Sequence, residues 1–147
     1  MTTTNTNTDR PSLAIALPVT ALHTIRVREL VTAALYRLRY AEARQYWASP
    51  EGKRRSEAMW CGEQDAVSAR LEGYLEVARS HEEVADTITS TIAGNGLQQV
   101  MASYDGDLMQ QALADAMWIR EFCEEDLPKA WIDRARDVLT RYLTEIR

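Results

Sequence analysis

The fold is decided by residues 19–49, which read VTALHTIRVRELVTAALYRLRYAEARQYWAS. The stretch contains neither proline nor glycine, and residues with high helix propensity dominate it. At 3.6 residues per turn, six apolar residues fall on one side of such a helix and form a stripe: Val27, Leu30, Val31, Ala34, Leu38 and Ala41. Leu35 lies at the edge of this stripe. The pattern predicts a long amphipathic helix, which Ser49-Pro50-Glu51-Gly52 should end because proline disfavours helix in the residue before it.

Further helices are predicted along the rest of the chain. One should cover about residues 53–79, weakened by Gly62 and Gly73. Ser80 and Glu83 match a capping box, which predicts that a separate helix starts there and stops at residues 94–96, Gly-Asn-Gly. The β-branched residues at 87–92 make a strand the alternative. Residues 97–104 suit one or two helical turns, and Asp107 is the expected cap of the next helix.

The last helix has the clearest periodicity of the chain. Asp126 is its expected cap, and Pro128 suits its first turn. Its predicted inner face comprises Trp131, Ile132, Ala135, Val138, Leu139, Tyr142, Leu143 and Ile146. Together these patterns predict an all-α fold: a single-domain bundle of about five helices over residues 13–147, after a disordered Thr/Asn-rich tail at residues 1–12.

Composition excludes several classes of protein. No stretch approaches the 18 or so consecutive apolar residues of a transmembrane helix, and the apolar run at residues 13–17 is too short for a signal peptide core. Two cysteines, Cys61 and Cys123, cannot form a disulfide framework, and we expect them to be small core hydrophobes. These features predict a cytoplasmic protein.

Charge is unevenly distributed along the chain, whose formal net charge is −5. Residues 19–55 carry eight Arg or Lys and three Glu, a net of +5, whereas residues 56–147 carry a net of −10. Such asymmetry is typical of a chain with an acidic or nucleic-acid partner, and it is also what a basic helix docked on its own acidic neighbours produces. The basic residues include 15 Arg and only two Lys, Lys53 and Lys129.

The side of the first helix opposite its core stripe carries aromatic residues. Tyr36, Tyr40 and Trp47 fall together there, flanked by Arg26, Arg37 and Arg44. Tyr, Trp and Arg are the residues most favoured as hot spots of protein interfaces. Our first hypothesis is therefore a non-enzymatic interaction protein, an accessory or regulatory subunit that binds a protein partner and self-associates. The alternative for these residues is a central helix that is buried on two sides.

A second hypothesis is contact with nucleic acid within a larger complex. Arginines beside aromatic rings can contact phosphates while the rings stack on bases. The cations on this interpretation are Arg28, Arg39, Lys53, Arg54 and Arg55. Residues 92–101, IAGNGLQQVM, and 112–122, ALADAMWIREF, resemble segments of the small helical subunit of type III CRISPR effector complexes. The resemblance covers about a seventh of the chain and implies a nucleic-acid contact within a ribonucleoprotein.

No constellation of residues in the sequence predicts catalysis, a metal site or a cofactor. His81, Glu82, Glu83 and Asp86 cluster in sequence but lack the spacing of a helical metal motif, and acidic residues are favourable at a helix start. Cys123 has no histidine near it in sequence. The third hypothesis is a small helical enzyme or ligand carrier with a pocket among the tryptophans.

Overall fold

The computed structural model describes residues 19–94, 107–122 and 127–145. Within these ranges the chain forms five helices and no strand, which confirms the all-α prediction. They are α1 (Val19–Ala48), α2 (Pro50–Ala58), α3 (Cys61–Gly94), α4 (Asp107–Phe122) and α5 (Lys129–Glu145). The predicted tail at 1–12, the turns at 97–104 and the cap at Asp126 lie outside the described residues.

Helix α1 occupies the centre of the bundle and approaches each of the other four helices closely. Its predicted apolar stripe is confirmed, because all six residues of the stripe are buried and Leu35 packs against them. Ala33 and His23 are buried as well, so α1 is covered on more of its circumference than the stripe alone. Burial of this width is what a central helix requires, since a helix with one neighbour buries only one stripe.

The predicted inner face of α5 is confirmed for the residues that the structure describes, and Ile146 lies outside them. The buried residues of α5 are Ile132, Ala135, Val138, Leu139 and Tyr142. Trp131 and Leu143 pack partly buried beside them. The helix begins one residue after Pro128, whose carbonyl accepts a hydrogen bond from the Ile132 amide at 3.0 Å. Proline suits this place because its missing N–H would have no partner in the first turn.

The capping box predicted at Ser80 is wrong. Residues 61–94 form one continuous helix, and the Ser80 hydroxyl donates to the Glu76 carbonyl at 3.1 Å, one turn back in that helix. A serine hydroxyl satisfied in this way leaves the backbone hydrogen-bond ladder intact. The helix continues because one row of its side chains packs on α1, and that packing outweighs a local capping preference. The helical interpretation of residues 87–92 is confirmed.

The break that sequence placed at Ser80 lies instead at Met59 and Trp60. Met59 has extended backbone angles, φ −83° and ψ 147°, and it ends α2 before α3 starts at Cys61. The predicted end of the first helix at residues 49–52 is confirmed: the Ser49 side chain accepts a hydrogen bond from the Gly52 amide and caps α2. A side chain at Gly52 would place its Cβ 2.1 Å from the Tyr46 carbonyl oxygen, so glycine is needed for this tight turn.

Candidate interaction site

The aromatic and basic side of α1 is divided by α3, which packs antiparallel to α1 on part of it. Arg26 contacts Thr89 and Arg37 contacts Glu82, so residue numbers rise along α1 as they fall along α3. The sequence predicted one continuous docking face here. The structure instead distributes the candidate residues among an ion-pair network, a face beside α3 and a cleft beside α2.

Arg37 is committed to the interior of the bundle. Its Nε and Nη2 donate to the two carboxylate oxygens of Glu82 at 2.6 and 2.8 Å, a bidentate pair. The Arg37 side chain is 12% exposed and that of Glu82 is 5% exposed. A carboxylate buried to this degree is tolerated only with such partners, because losing water costs several kcal/mol per ion. The pair therefore joins α1 to α3 and leaves Arg37 little surface for an external partner.

Two more arginines extend this network. Arg120 of α4 forms a bidentate pair with Asp86 at 2.9 and 2.7 Å, and its Nε lies 3.8 Å from Glu82. The hydrogen bond from Arg120 holds the pKa of Asp86 below its usual range. Arg26 donates to the Thr89 hydroxyl at 2.7 Å, and burial lowers the pKa of its guanidinium, against the opposing charge of Asp86. Part of the basic charge of α1 is thus neutralised inside the chain.

Tyr36 lies beside α3 with its ring stacked on His81, at 6.2 Å between centroids and 16° between planes. The Arg39 guanidinium lies over the Tyr36 ring, 5.0 Å from its centroid. His81 Nδ1 is also hydrogen-bonded to the Glu29 carboxylate. Tyr40 and Arg44 are half-buried. Tyr36 is therefore held in place by its neighbours while part of it stays accessible.

Trp47 lines a cleft between the end of α1, α2 and the start of α3, with a volume of about 310 Å³. The cleft is lined by Trp47, Ser56, Met59, Gln64, Val67, Ser68 and Leu71. Trp47 meets Tyr46 edge to face at 5.0 Å, and the Arg55 guanidinium lies 5.6 Å from its ring centroid. We call this feature the Trp47 cleft. It combines four apolar lining residues with a cation over the ring of one of them, Trp47.

Sequence reasoning missed Met59 and Trp60 as parts of this region, because it placed both inside a continuous helix. Trp60 is 69% exposed, and its ring covers Gly62 so closely that a Cβ there would lie 1.9 Å from it. The sequence signal that could have indicated this contact was a tryptophan two residues before a glycine.

Cys61 is exposed at the start of α3, which corrects the expectation that it is a core residue, whereas Cys123 lies outside the described residues.

The second set of predicted cations lies on the surface. Arg28, Arg39, Lys53, Arg54 and Arg55 are all exposed. Arg55 donates to the Tyr46 hydroxyl at 3.3 Å, while Lys53 and Arg54 extend from the same helix, α2. The acidic cluster at 81–86 is committed to partners on other helices: His81 contacts Glu29, Glu82 pairs with Arg37 and lies near Arg120, and Asp86 pairs with Arg120. In the described ranges no three His, Cys, Asp or Glu side chains are placed to hold a metal ion.

Comparison with known proteins gives no relative: no family model, no curated protein and no solved structure matches the chain. None of the helices in the described part of the chain is long and apolar enough to cross a membrane.

Proposed function

We propose that this chain is a non-enzymatic interaction protein, an accessory or regulatory subunit of a cytoplasmic complex, and that it binds an acidic, partly apolar segment of a protein partner in the Trp47 cleft. The observation that carries the proposal is the half-buried Trp47, which lines the cleft while Arg55 lies over its ring. Tryptophan and arginine are both enriched among the residues that contribute most of the binding energy at protein interfaces.

The chemistry of the cleft indicates what it would accept. Its lining offers apolar surface from Trp47, Met59, Val67 and Leu71, which suits one or two large apolar side chains. Its polar lining comes from Ser56, Gln64 and Ser68, which carry no charge. The Arg55 guanidinium lies over the ring of Trp47, so a carboxylate next to the apolar side chains of a partner would meet opposite charge there.

Selection of random peptides displayed on phage against the immobilised full chain tests this proposal. We expect the selected peptides to combine Leu, Phe or Trp with Asp or Glu. Binding of a selected peptide should weaken about tenfold in Leu71→Glu and in Ser68→Glu, which obstructs the cleft from an exposed position and repels an acidic peptide without removing an apolar contact. Arg55→Glu should weaken peptide binding more at low salt than at high salt, because salt screens exposed charge.

Val84→Asp is the matched control, since Val84 is exposed on α3 far from the cleft and its substitution should leave peptide binding unchanged. Selected peptides that are basic, or that bind equally to the Ser68→Glu variant, would contradict the proposal. Binding of a single-stranded DNA oligonucleotide tests the second hypothesis, which is contact with nucleic acid. If the chain binds it and Arg54→Glu abolishes that binding, the basic surface of α2 serves nucleic acid, and the proposed function is wrong.

A further inference from the structure

A second surface lies on the side of α1 and α3 where Tyr36 stacks on His81. Ile25 and Tyr36 are eleven residues apart on α1, or three turns, and therefore lie in one row. Val77 and Val84 are seven residues apart on α3 and form a second row. Ile25, Val77 and Val84 are 41%, 37% and 44% exposed. We call this surface the α1/α3 face.

Opposite charges border the two helices of this face. Arg28 and Arg39 are exposed on α1, at the outer edge of the row that holds Ile25 and Tyr36. Glu76 and Glu83 are exposed on α3, beyond the row that holds Val77 and Val84. Within the described residues none of these four side chains has an ion-pair partner, unlike Arg37 and Glu82 in the interior. Arg79 lies between the two glutamates on α3 but pairs with Glu72 at 3.6 Å, so this edge keeps a net negative charge. The face is therefore positive along one edge and negative along the other.

We propose that the α1/α3 face joins a second copy of this chain, with α1 of each copy packed on α3 of the other. A two-fold axis parallel to the helices turns one copy over, so that the Arg edge of each copy meets the Glu edge of its partner. Such a contact is self-complementary, as the symmetry of a dimer requires. The other two-fold arrangement places α1 on α1 and α3 on α3, which opposes like charges and is disfavoured.

The composition of the face predicts a weak, reversible dimer. Three partly exposed aliphatic side chains and one tyrosine offer less apolar surface than a permanent interface buries. Specificity then comes mainly from the two repeated sets of charges, which set orientation and register. This inference does not rest on the Trp47 cleft, because Ile25, Tyr36, Val77 and Val84 do not line that cleft.

Charge reversal followed by sedimentation velocity, over roughly 1 to 500 µM chain, tests the dimer. One variant carries Arg28→Glu and Arg39→Glu, and the other carries Glu76→Arg and Glu83→Arg. Each variant alone should dimerise at least about tenfold more weakly than the unmodified chain, because like charges then meet at both edges. An equimolar mixture of the two variants should restore the dimer, since their edges are complementary again.

Restoration in the mixture also shows that both variants are folded, and circular dichroism of each variant checks this independently. Lys53→Glu with Arg54→Glu reverses two exposed cations outside the face and changes the net charge as much as the Arg28→Glu/Arg39→Glu variant does, so it should leave dimerisation unchanged. The proposal is overturned if the unmodified chain stays monomeric at the highest concentration, or if a dimer forms that the reversals do not affect. A dimer that Leu71→Glu abolishes while Val84→Asp leaves it intact would place the contact at the cleft and also overturn it.

Discussion

The two halves of α3 belong to the same continuous helix but have opposite environments. We refer to residues 61–74 as the first half of α3 and to the longer remainder, residues 75–94, as its second half. Every buried residue of α3 lies in the second, at Leu75, Ala78, Glu82, Ala85 and Ile92. The first half, residues 61–74, has none, and several of its side chains line the Trp47 cleft. The backbone hydrogen bonds are the same in both halves, so helix formation alone does not report where the stability of the bundle comes from. Packing does: the second half contributes buried side chains to the bundle, whereas the first half contributes side chains to the cleft.

The largest expected effect comes from Glu82 in the buried half. Glu82→Leu removes the bidentate acceptor of Arg37 and leaves a guanidinium in an environment from which water is largely excluded. We expect a loss of about 3 kcal/mol in the free energy of unfolding, the usual cost of removing one partner of a buried ion pair. Urea denaturation measures it. Glu83→Gln at the neighbouring exposed position is the control, and an equal loss there would show that burial does not explain the effect.

Leucines in the two halves provide the next test. Leu75 is 3% exposed and Leu71 is half-buried at the cleft. Leu75→Ala should lower the free energy of unfolding by about 2 to 3 kcal/mol because it leaves a cavity, and Leu71→Ala by about 1 kcal/mol or less. Thermal and urea unfolding of both variants measure the difference. Equal losses would mean that the first half of α3 contributes to the core as much as the second.

Gly73 offers a gain in stability in the exposed half. A Cβ at Gly73 would meet nothing within 4 Å, and the residue lies inside a helix. Gly73→Ala should therefore raise the free energy of unfolding by about 0.5 to 1 kcal/mol, because alanine loses less conformational freedom in a helix than glycine does. A rise in the urea midpoint is the readout. A fall would show that the first half of α3 depends on bending or close packing at this residue.

The smallest effect is a pH dependence at the edge of the network. The hydrogen bond from Arg120 lowers the pKa of Asp86 in the folded chain, so the folded state favours the ionised carboxylate. The stabilisation is therefore present above the unfolded pKa of about 3.9 and is lost as pH falls through the lower folded value. Because the Asp86 side chain is 55% exposed, we expect about 0.5 kcal/mol or less.

Urea midpoints between about pH 6 and pH 2, compared with Asp86→Asn, isolate this contribution to the acid limb of stability. The asparagine variant should be less stable than the unmodified chain at neutral pH, and the difference should shrink as the solution becomes acidic. A difference that stays constant down to the lowest pH would show that the Asp86 charge is not what Arg120 recognises.

The sequence predicts those parts of the fold in which one helix face is apolar throughout. The α1 stripe from Val27 to Ala41 and the inner face of α5 repeat with the helical period, and the structure confirms both. The boundary between α2 and α3 was wrong because a local capping pattern at Ser80 competes with packing that only the folded chain reveals. The hydroxyl of Ser80 finds an acceptor inside the helix, so the pattern has no structural consequence there.

The candidate site was less predictable because its residues are paired across long sequence intervals. Arg37 and Glu82 are 45 residues apart, and Arg120 and Asp86 are 34 apart. A helical wheel of α1 places Arg37 beside Tyr36 and Trp47, but it cannot show that the Glu82 carboxylate of α3 lies against Arg37. The surface chemistry of Arg28, Arg39 and the α2 cations remains a prediction that the binding experiments address.

The central position of α1 has a consequence for the order in which the chain folds. As the chain is synthesised, α1 emerges before every helix that covers it, and α5 is complete only after residue 145. At usual elongation rates about 5 to 20 seconds separate the two events. During that interval the stripe around Val31 and Leu38 is exposed or only partly covered by α3. The helix at the centre of the finished bundle is thus made before the helices that cover it, and its apolar stripe is open to chaperones and to aggregation during that interval.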